Sequence, residues 1–273
     1  MKLLYISLLV TIALSSCIGQ KTETEAVAPE PQPLLSGVAD SVYASAVSEQ
    51  PENSRSGEVS DSDFVVLADV VPDIIQEIRY YATYNFVGRR IPGYEAPVAL
   101  LTRRAADSLA QVSRDVVAQG YRLKVFDAYR PQRAVLYFVG WARNVSDTLM
   151  KPYFYPEIDK ADCFRLGYLA HRSGHTRGST IDLTLFDMAT EREADMGGTY
   201  DFFGEVSHYW TRQPLSKEQL RHRRILREAM IRHGFKPIAT EWWHFTLADE
   251  PFPNTEFDFP VALIPENYSK GGK

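Results

Sequence analysis

Cysteine is almost absent from this 273-residue chain, which contains only Cys17 and Cys163. Two thiols cannot build a disulfide framework, and neither belongs to a paired metal-binding motif. Cys163 is expected to be a small buried apolar residue rather than a nucleophile. Long apolar runs are equally scarce. Leu3 to Leu14 is the one nearly continuous stretch, and it is shorter than the ~20 residues a membrane-spanning helix needs. No long basic run offsets the net charge of -5, so nucleic acid is excluded as a partner. There is no internal repeat, and the helical His-Glu-x-x-His zinc motif is missing.

What is present begins with an address. Met1-Lys2 precedes the apolar run, which fits the core of a secretory leader. The run ends in Leu14-Ser-Ser-Cys17, which resembles the bacterial lipoprotein cleavage box. The plain alternative is an ordinary leader with an incidental cysteine. The reading adopted is a lipoprotein signal peptide over 1–16, a lipidated Cys17 with a disordered tether over 17–62, and a single domain over 63–273. Thr22-Glu-Thr-Glu and Pro29-Glu-Pro-Gln-Pro lack apolar periodicity, as a tether does. The chain is thus expected to be exported and lipid-anchored to a bacterial membrane, periplasmic or surface-facing. The membrane is a partner through that lipid, and no protein partner is implied.

Aromatic residues become frequent from Phe64 onward. Strands are expected at Phe64–Leu67, Leu123–Phe126, Ile181–Leu185 and Trp243–Leu247, and an extended piece at Ile78–Tyr81. Ala105, Leu109, Val112 and Val116 stand at helical spacing, which predicts a helix from Leu101 to Gln119 stopped by Gly120. A helix over Gln132–Arg143 starts behind Pro131. Ser216 and Gln219 form a capping box for a helix running to Gly234. Helices and strands mix without a regular βαβ repeat. The fold class is therefore α+β, a compact domain with a mainly antiparallel sheet flanked by helices.

The chemistry is concentrated in Ser173-Gly-His175-Thr-Arg-Gly178-Ser-Thr-Ile-Asp182 and, far downstream, Glu241-Trp-Trp-His244. Gly178 and Ser179 can turn the chain so that His175 and Asp182 converge from a loop and a strand, and His244 closes the triangle. Two imidazoles and a carboxylate make a three-ligand set with a vacancy, the pattern of catalytic zinc. Glu241 is expected in the turn entering its strand, beside the metal without ligating it. Trp242 and Trp243 can form a dry wall behind it. The combination reads as a metallohydrolase.

These residues carry a resemblance to the zinc D-alanyl-D-alanine dipeptidases of the vancomycin-resistance type. That family lies within the fold group of D,D-carboxypeptidases and hedgehog signalling domains. Further blocks match in order: Tyr81-Ala-Thr-Tyr-Asn-Phe, Asp127-Ala-Tyr-Arg130-Pro, Met196-Gly-Gly-Thr-Tyr-Asp201-Phe-Phe and Asp249-Glu-Pro-Phe-Pro-Asn254. The resemblance implies one Zn2+ per chain, held by His175, Asp182 and His244, with Glu241 as general base. It implies that Arg130 stabilises the developing oxyanion. It also implies that Asp201, Ser173 and Tyr81 line the pocket for the free amino end of a small dipeptide. The bland alternatives are a turn closed by an Arg130–Asp127 pair, local turn caps at Asp201 and Ser173, and a core tyrosine. A D,D-carboxypeptidase acting on wall peptides and a non-catalytic zinc-binding module are the competing functions. The exported leader departs from the family's cytoplasmic resistance enzymes, so a resistance role is not implied.

Overall fold

The structure is a computed structural model that describes residues 64–263. The expected leader, Cys17 and the tether lie outside the described residues. In chain order the elements are β1 (Phe64–Val66), α1 (Leu67–Val70), β2 (Ile75–Gln76), β3 (Leu100–Thr102), α2 (Arg103–Val117), β4 (Tyr121–Asp127), α3 (Gln132–Arg143), α4 (Lys151–Phe154), β5 (Thr180–Asp187), β6 (Arg192–Glu193), α5 (Lys217–Arg232), β7 (Phe235–Pro237) and β8 (His244–Leu247).

The main sheet has the order β2-β4-β5-β8-β7, with β6 folded back onto β5. Its pairings are antiparallel except β2 with β4. A separate antiparallel ribbon joins β1 to β3. The expected α+β class, with helices flanking a mainly antiparallel sheet, is the one observed.

Helix α2 buries Ala105, Ala106, Leu109, Val112, Ser113 and Val116, the stripe that a 3.6-residue period places on one side. It packs on α5 and β4, while α5 packs on β7 and β5. Helix α5 starts with the expected capping box: Ser216 Oγ accepts from the Gln219 N–H at 3.1 Å, and Gln219 Oε1 accepts from the Ser216 N–H at 2.8 Å. Every residue from Thr180 to Leu185 is buried, so most of β5 is covered on both faces and carries Asp182 into the interior. Cys163 is free and fully buried, and burial pushes its thiol up to about 11.

Two local expectations need correction. Leu101 and Thr102 belong to β3, not to the helix. The Thr102 N–H donates to Gly178 O at 2.7 Å, and its Oγ1 bonds Ser179 Oγ at 2.8 Å. These contacts hold the chain extended until Arg103. The strand expected at Ile78–Tyr81 lies earlier, at β2. The N–H groups of Glu77 and Arg79 still follow β4, bonding Val125 O and Phe126 O, but Tyr81 N and Ala82 N then fold back onto Ile78 O. That turn swings Tyr80 into the interior, where it is 1 % exposed.

The C-terminal segment backs the site. The Phe257 N–H donates to Thr176 O at 3.0 Å, while Arg177 grips Glu250 through two nitrogens and Arg133 pairs with Asp258. Among the described residues no helix is long and apolar enough to cross a membrane.

Candidate active site

One short turn carries the first ligand candidate. Gly174–Arg177 forms a single 3-10 turn whose N-cap is Ser173, with Oγ accepting from the His175 N–H at 3.3 Å. Gly178 ends it at φ +75°, and a Cβ there would lie 2.3 Å from the Phe64 ring. Only glycine fits both the dihedral and the space. The chain then enters β5, which delivers Asp182 beside the turn it has just left.

His175, Asp182 and His244 come together with all their donor atoms within 4.8 Å of one another. His175 Nε2 is 3.3 Å from Asp182 Oδ2 and 3.3 Å from His244 Nδ1, and His244 Nδ1 is 3.0 Å from Asp182 Oδ1. His175 Nδ1 lies 2.6 Å from the carbonyl of Ala128. A carbonyl only accepts, so Nδ1 carries the proton and Nε2 offers its lone pair to the centre. One nitrogen from each of two imidazoles and a carboxylate thus converge on one buried point. That donor set suits a divalent metal ion.

The charges around this point are strongly coupled. Burial opposes ionisation of Asp182, yet the charge and hydrogen bonds of His175 and His244 hold its carboxyl below the usual range. Burial works against protonated His244, but Asp182 and Glu241 outweigh it and raise the imidazole. Glu241 sits in the turn before β8, with Oε2 3.4 Å from His244 Nδ1. Desolvation pushes its carboxyl up to about 7; His244 and Arg130 pull the other way, and Asp182 adds to the rise.

Arg130 faces the same centre. Its Nη2 is 3.7 Å from Asp182 Oδ2, while Nε and Nη2 each lie 2.9 Å from Asp127 Oδ2. The Arg130–Asp127 pair and the inward-facing guanidinium therefore coexist. Asp127 is wholly buried and also accepts from the Tyr94 hydroxyl at 2.7 Å. The composition of the motif did not single out this carboxylate as part of the site.

A cavity of about 220 Å³ opens over these groups, lined by Arg130, Ser173, His175, Asp182, Asp201, Glu241 and His244 together with Tyr80 and an apolar wall that includes Phe86, Phe138 and Phe203. Asp201 adopts φ +60°, uncommon for a residue with a side chain. Burial, reinforced by Asp182, raises its carboxyl well above the usual range against the pull of Arg130 and Tyr80. The loop that presents it is fixed by Arg223 of α5, which donates to the carbonyls of Met196, His208 and Val206 at 2.7, 2.8 and 2.7 Å.

Among the expected pocket residues Tyr81 is out of place. It does not line the cavity; its ring lies under Arg90, 4.3 Å away. The phenol beside Asp201 is that of Tyr80, whose hydroxyl donates to Asp201 Oδ2 at 2.8 Å. The turn after Ile78 exchanges the two neighbours. Trp242 and Trp243 are core residues packed edge to face at 5.2 Å, and neither lines the cavity. Tyr200 is a further site residue without a spacing to announce it, with its hydroxyl 3.1 Å from Asp182 Oδ2.

The arrangement combines a triad that can hold a metal ion, a carboxylate that can hold or release a proton, and a guanidinium aimed at the same space. Such a set suits hydrolysis of an acyl bond. The model of the D-ala-D-ala dipeptidase family matches residues 60–262. The chain is 39% identical to the D-alanyl-D-alanine dipeptidase of Enterococcus faecium over 198 residues, 72% of this chain and 98% of that one. It is 39% identical to the Streptomyces coelicolor D-alanyl-D-alanine dipeptidase over 200 residues, 73% and 98% of the two chains. The Escherichia coli enzyme of the same name is 32% identical over 187 residues, 68% of this chain and 85% of that one. The chain therefore belongs to the D-ala-D-ala dipeptidase family of metallopeptidases.

Proposed function

We propose that the protein is a zinc-dependent dipeptidase that hydrolyses D-alanyl-D-alanine to two D-alanines. The observation that supports this reading is the cavity itself, lined by the Glu241 carboxylate and the Arg130 guanidinium beside the His175, Asp182 and His244 donors. A tetrahedral zinc with bonds of ~2.0–2.1 Å sets its ligands roughly 3.3 Å apart. The donor separations of 3.0 and 3.3 Å match that spacing.

When bound, zinc supplies Lewis-acid chemistry, acidifying water and polarising a carbonyl. The remaining work belongs to side chains. Glu241 takes the proton of the attacking water and passes it to the departing amine. Arg130, held by Asp127, donates to the oxygen on which negative charge develops. Asp201 pairs with the free ammonium of the dipeptide, helped by Tyr80 and Ser173. A longer peptide brings a neutral amide to that place and leaves the carboxylate unpaired, which is costly in a buried site.

The test is turnover of the four stereoisomeric alanine dipeptides, with and without chelator. D-alanyl-D-alanine is expected to be cleaved, chelator to stop cleavage and zinc to restore it, and the N-acetylated dipeptide to be poor. Faster cleavage of a wall pentapeptide would turn the reading into a D,D-carboxypeptidase. No cleavage by zinc-loaded protein would turn it into a binding module.

Export with a lipid on Cys17 is part of the same proposal. It is supported by the apolar run, the Leu14-Ser-Ser-Cys17 box and the start of the family match at residue 60. Labelled palmitate should enter the parent chain and not Cys17→Ser; equal labelling of both would refute it.

A further inference from the structure

Two buried phenols stand behind the reacting groups. Tyr200 and Tyr80 are 2 % and 1 % exposed. The Tyr200 hydroxyl lies 3.1 Å from Asp182 Oδ2 and 3.3 Å from the Tyr80 hydroxyl, which in turn donates to Asp201 Oδ2 at 2.8 Å. A chain of two hydroxyls therefore joins the carboxylate of the metal triad to the carboxylate of the amino-end pocket.

The protons in this chain can be counted. A phenol ionises only near pH ~10, so each keeps its proton at neutral pH. Tyr80 spends its proton on Asp201. Tyr200 has one proton and two acceptors within reach, and the nearer acceptor is an ionised carboxylate, which makes the stronger bond. The Tyr200 proton therefore belongs to Asp182. The ring that carries it is fixed, stacked on Phe126 at 4.7 Å and set edge-on to Trp243 at 5.4 Å. With Oδ1 facing His244 and Oδ2 tied to this hydroxyl, the Asp182 carboxylate plane is held from behind.

We propose that Tyr200 is a positioning residue for the metal: its hydroxyl fixes the Asp182 carboxylate in its ion-binding orientation, while Tyr80 holds Asp201 for the amino end of the substrate. This division of labour rests on the metal site proposed above. Outer hydrogen-bond partners of metal ligands commonly contribute 10–100-fold to affinity. A tyrosine that only packs would contribute nothing through its oxygen.

The experiment compares zinc affinity of the parent chain, Tyr200→Phe, Tyr80→Phe and His175→Ala by competition with a chromophoric chelator. Circular dichroism establishes that each is folded. Tyr200→Phe keeps the ring and is expected to bind zinc at least tenfold more weakly, with an altered visible spectrum when loaded with cobalt(II). Tyr80→Phe is expected to bind zinc within threefold of the parent and to raise KM for D-alanyl-D-alanine with kcat nearly preserved. Zinc affinity of Tyr200→Phe within twofold of the parent, with an unchanged cobalt spectrum, would overturn the inference, as would equal loss of zinc affinity in both phenylalanine variants. His175→Ala separates the two levels. If it binds zinc like the parent, the metal site itself is wrong; if it loses zinc while Tyr200→Phe does not, only the role of Tyr200 falls.

Discussion

Asp182 and His244 are register partners on the neighbouring antiparallel strands β5 and β8, and Asp127 pairs with Asp182 on the other side, from β4. The three residues form one row across the end of the sheet. Sheet hydrogen bonding fixes neighbouring strands ~4.7–4.9 Å apart, so the backbone ladder sets the spacing of two ligand candidates before any ion arrives. The β4–β5 register shifts between Val125 and Asp127. Such irregularities re-aim side chains beside active sites, and here the shift puts Asp127 where it holds Arg130.

Glu241 touches His244 but stands outside the donor triad. If Glu241 is the proposed general base, Glu241→Gln should bind zinc as the parent does and lose turnover by roughly 10²–10⁴-fold in kcat. Metal analysis of the purified variant beside steady-state kinetics checks this. Loss of zinc together with turnover would make Glu241 a ligand.

Arg130 and Asp127 should behave as a unit. Asp127 is 0 % exposed and Arg130 supplies two of its contacts. On the proposed mechanism, Arg130→Ala would remove oxyanion stabilisation, a loss of ~3 kcal/mol in the transition state. It also strands a buried carboxylate, which costs about 3–5 kcal/mol of stability. Adding Asp127→Asn should recover much of the stability and none of the activity. Chemical denaturation of both variants would show it; a double variant no more stable than the single one would deny the pairing its structural weight.

A pH effect is expected outside the residues that line the cavity. Lys160 is buried, donates to the carbonyls of Asn144 and Asp147 at 2.7 Å each, and lies 3.8 Å over the Trp141 ring. Burial lowers its ammonium from 10.5 to about 8. Between those values the unfolded chain binds the proton that the folded chain has released, so stability rises with pH across that window. Lys160→Met should remove that rise. Melting temperatures of the two proteins at pH 7.5 and pH 10 decide it, and parallel trends would mean that the carbonyls and the ring fully offset the burial of the charge.

The legible parts of the fold are those with a period. The stripe of α2, the capping box of α5 and the apolar alternation of β5 follow from local spacing. The ligand candidates are legible because histidine, aspartate and glutamate rarely gather without chemistry. Tyr80 and Tyr200 are not, because a tyrosine in an aromatic-rich chain looks like core until its hydroxyl has a partner. Tyr81 illustrates the same limit. Its block resembles the family, yet the fold-back of Tyr81 and Ala82 onto Ile78 O decides which of two adjacent tyrosines enters the cavity. Leu101 and Thr102 have helical spacing, and long-range bonds to Gly178 and Ser179 override it.

Gly174 offers a test that joins the loop to the sheet. A Cβ on it would stand 2.7 Å from Thr180 Oγ1, closer than real Cβ contacts come. Thr180 cannot easily yield, since its Oγ1 is bonded to Thr246 Oγ1 at 2.9 Å across the same β5–β8 ladder that aligns Asp182 with His244. Overpacking of this kind costs about 1–3 kcal/mol, and the strain falls on the residue next to His175. Gly174→Ala is therefore expected to lower the melting temperature and weaken zinc binding together. Thr180→Ala in the same chain removes the obstructing hydroxyl and should restore most of both. If the double variant binds zinc no better than Gly174→Ala alone, the methyl acts through the backbone of the turn and not through Thr180.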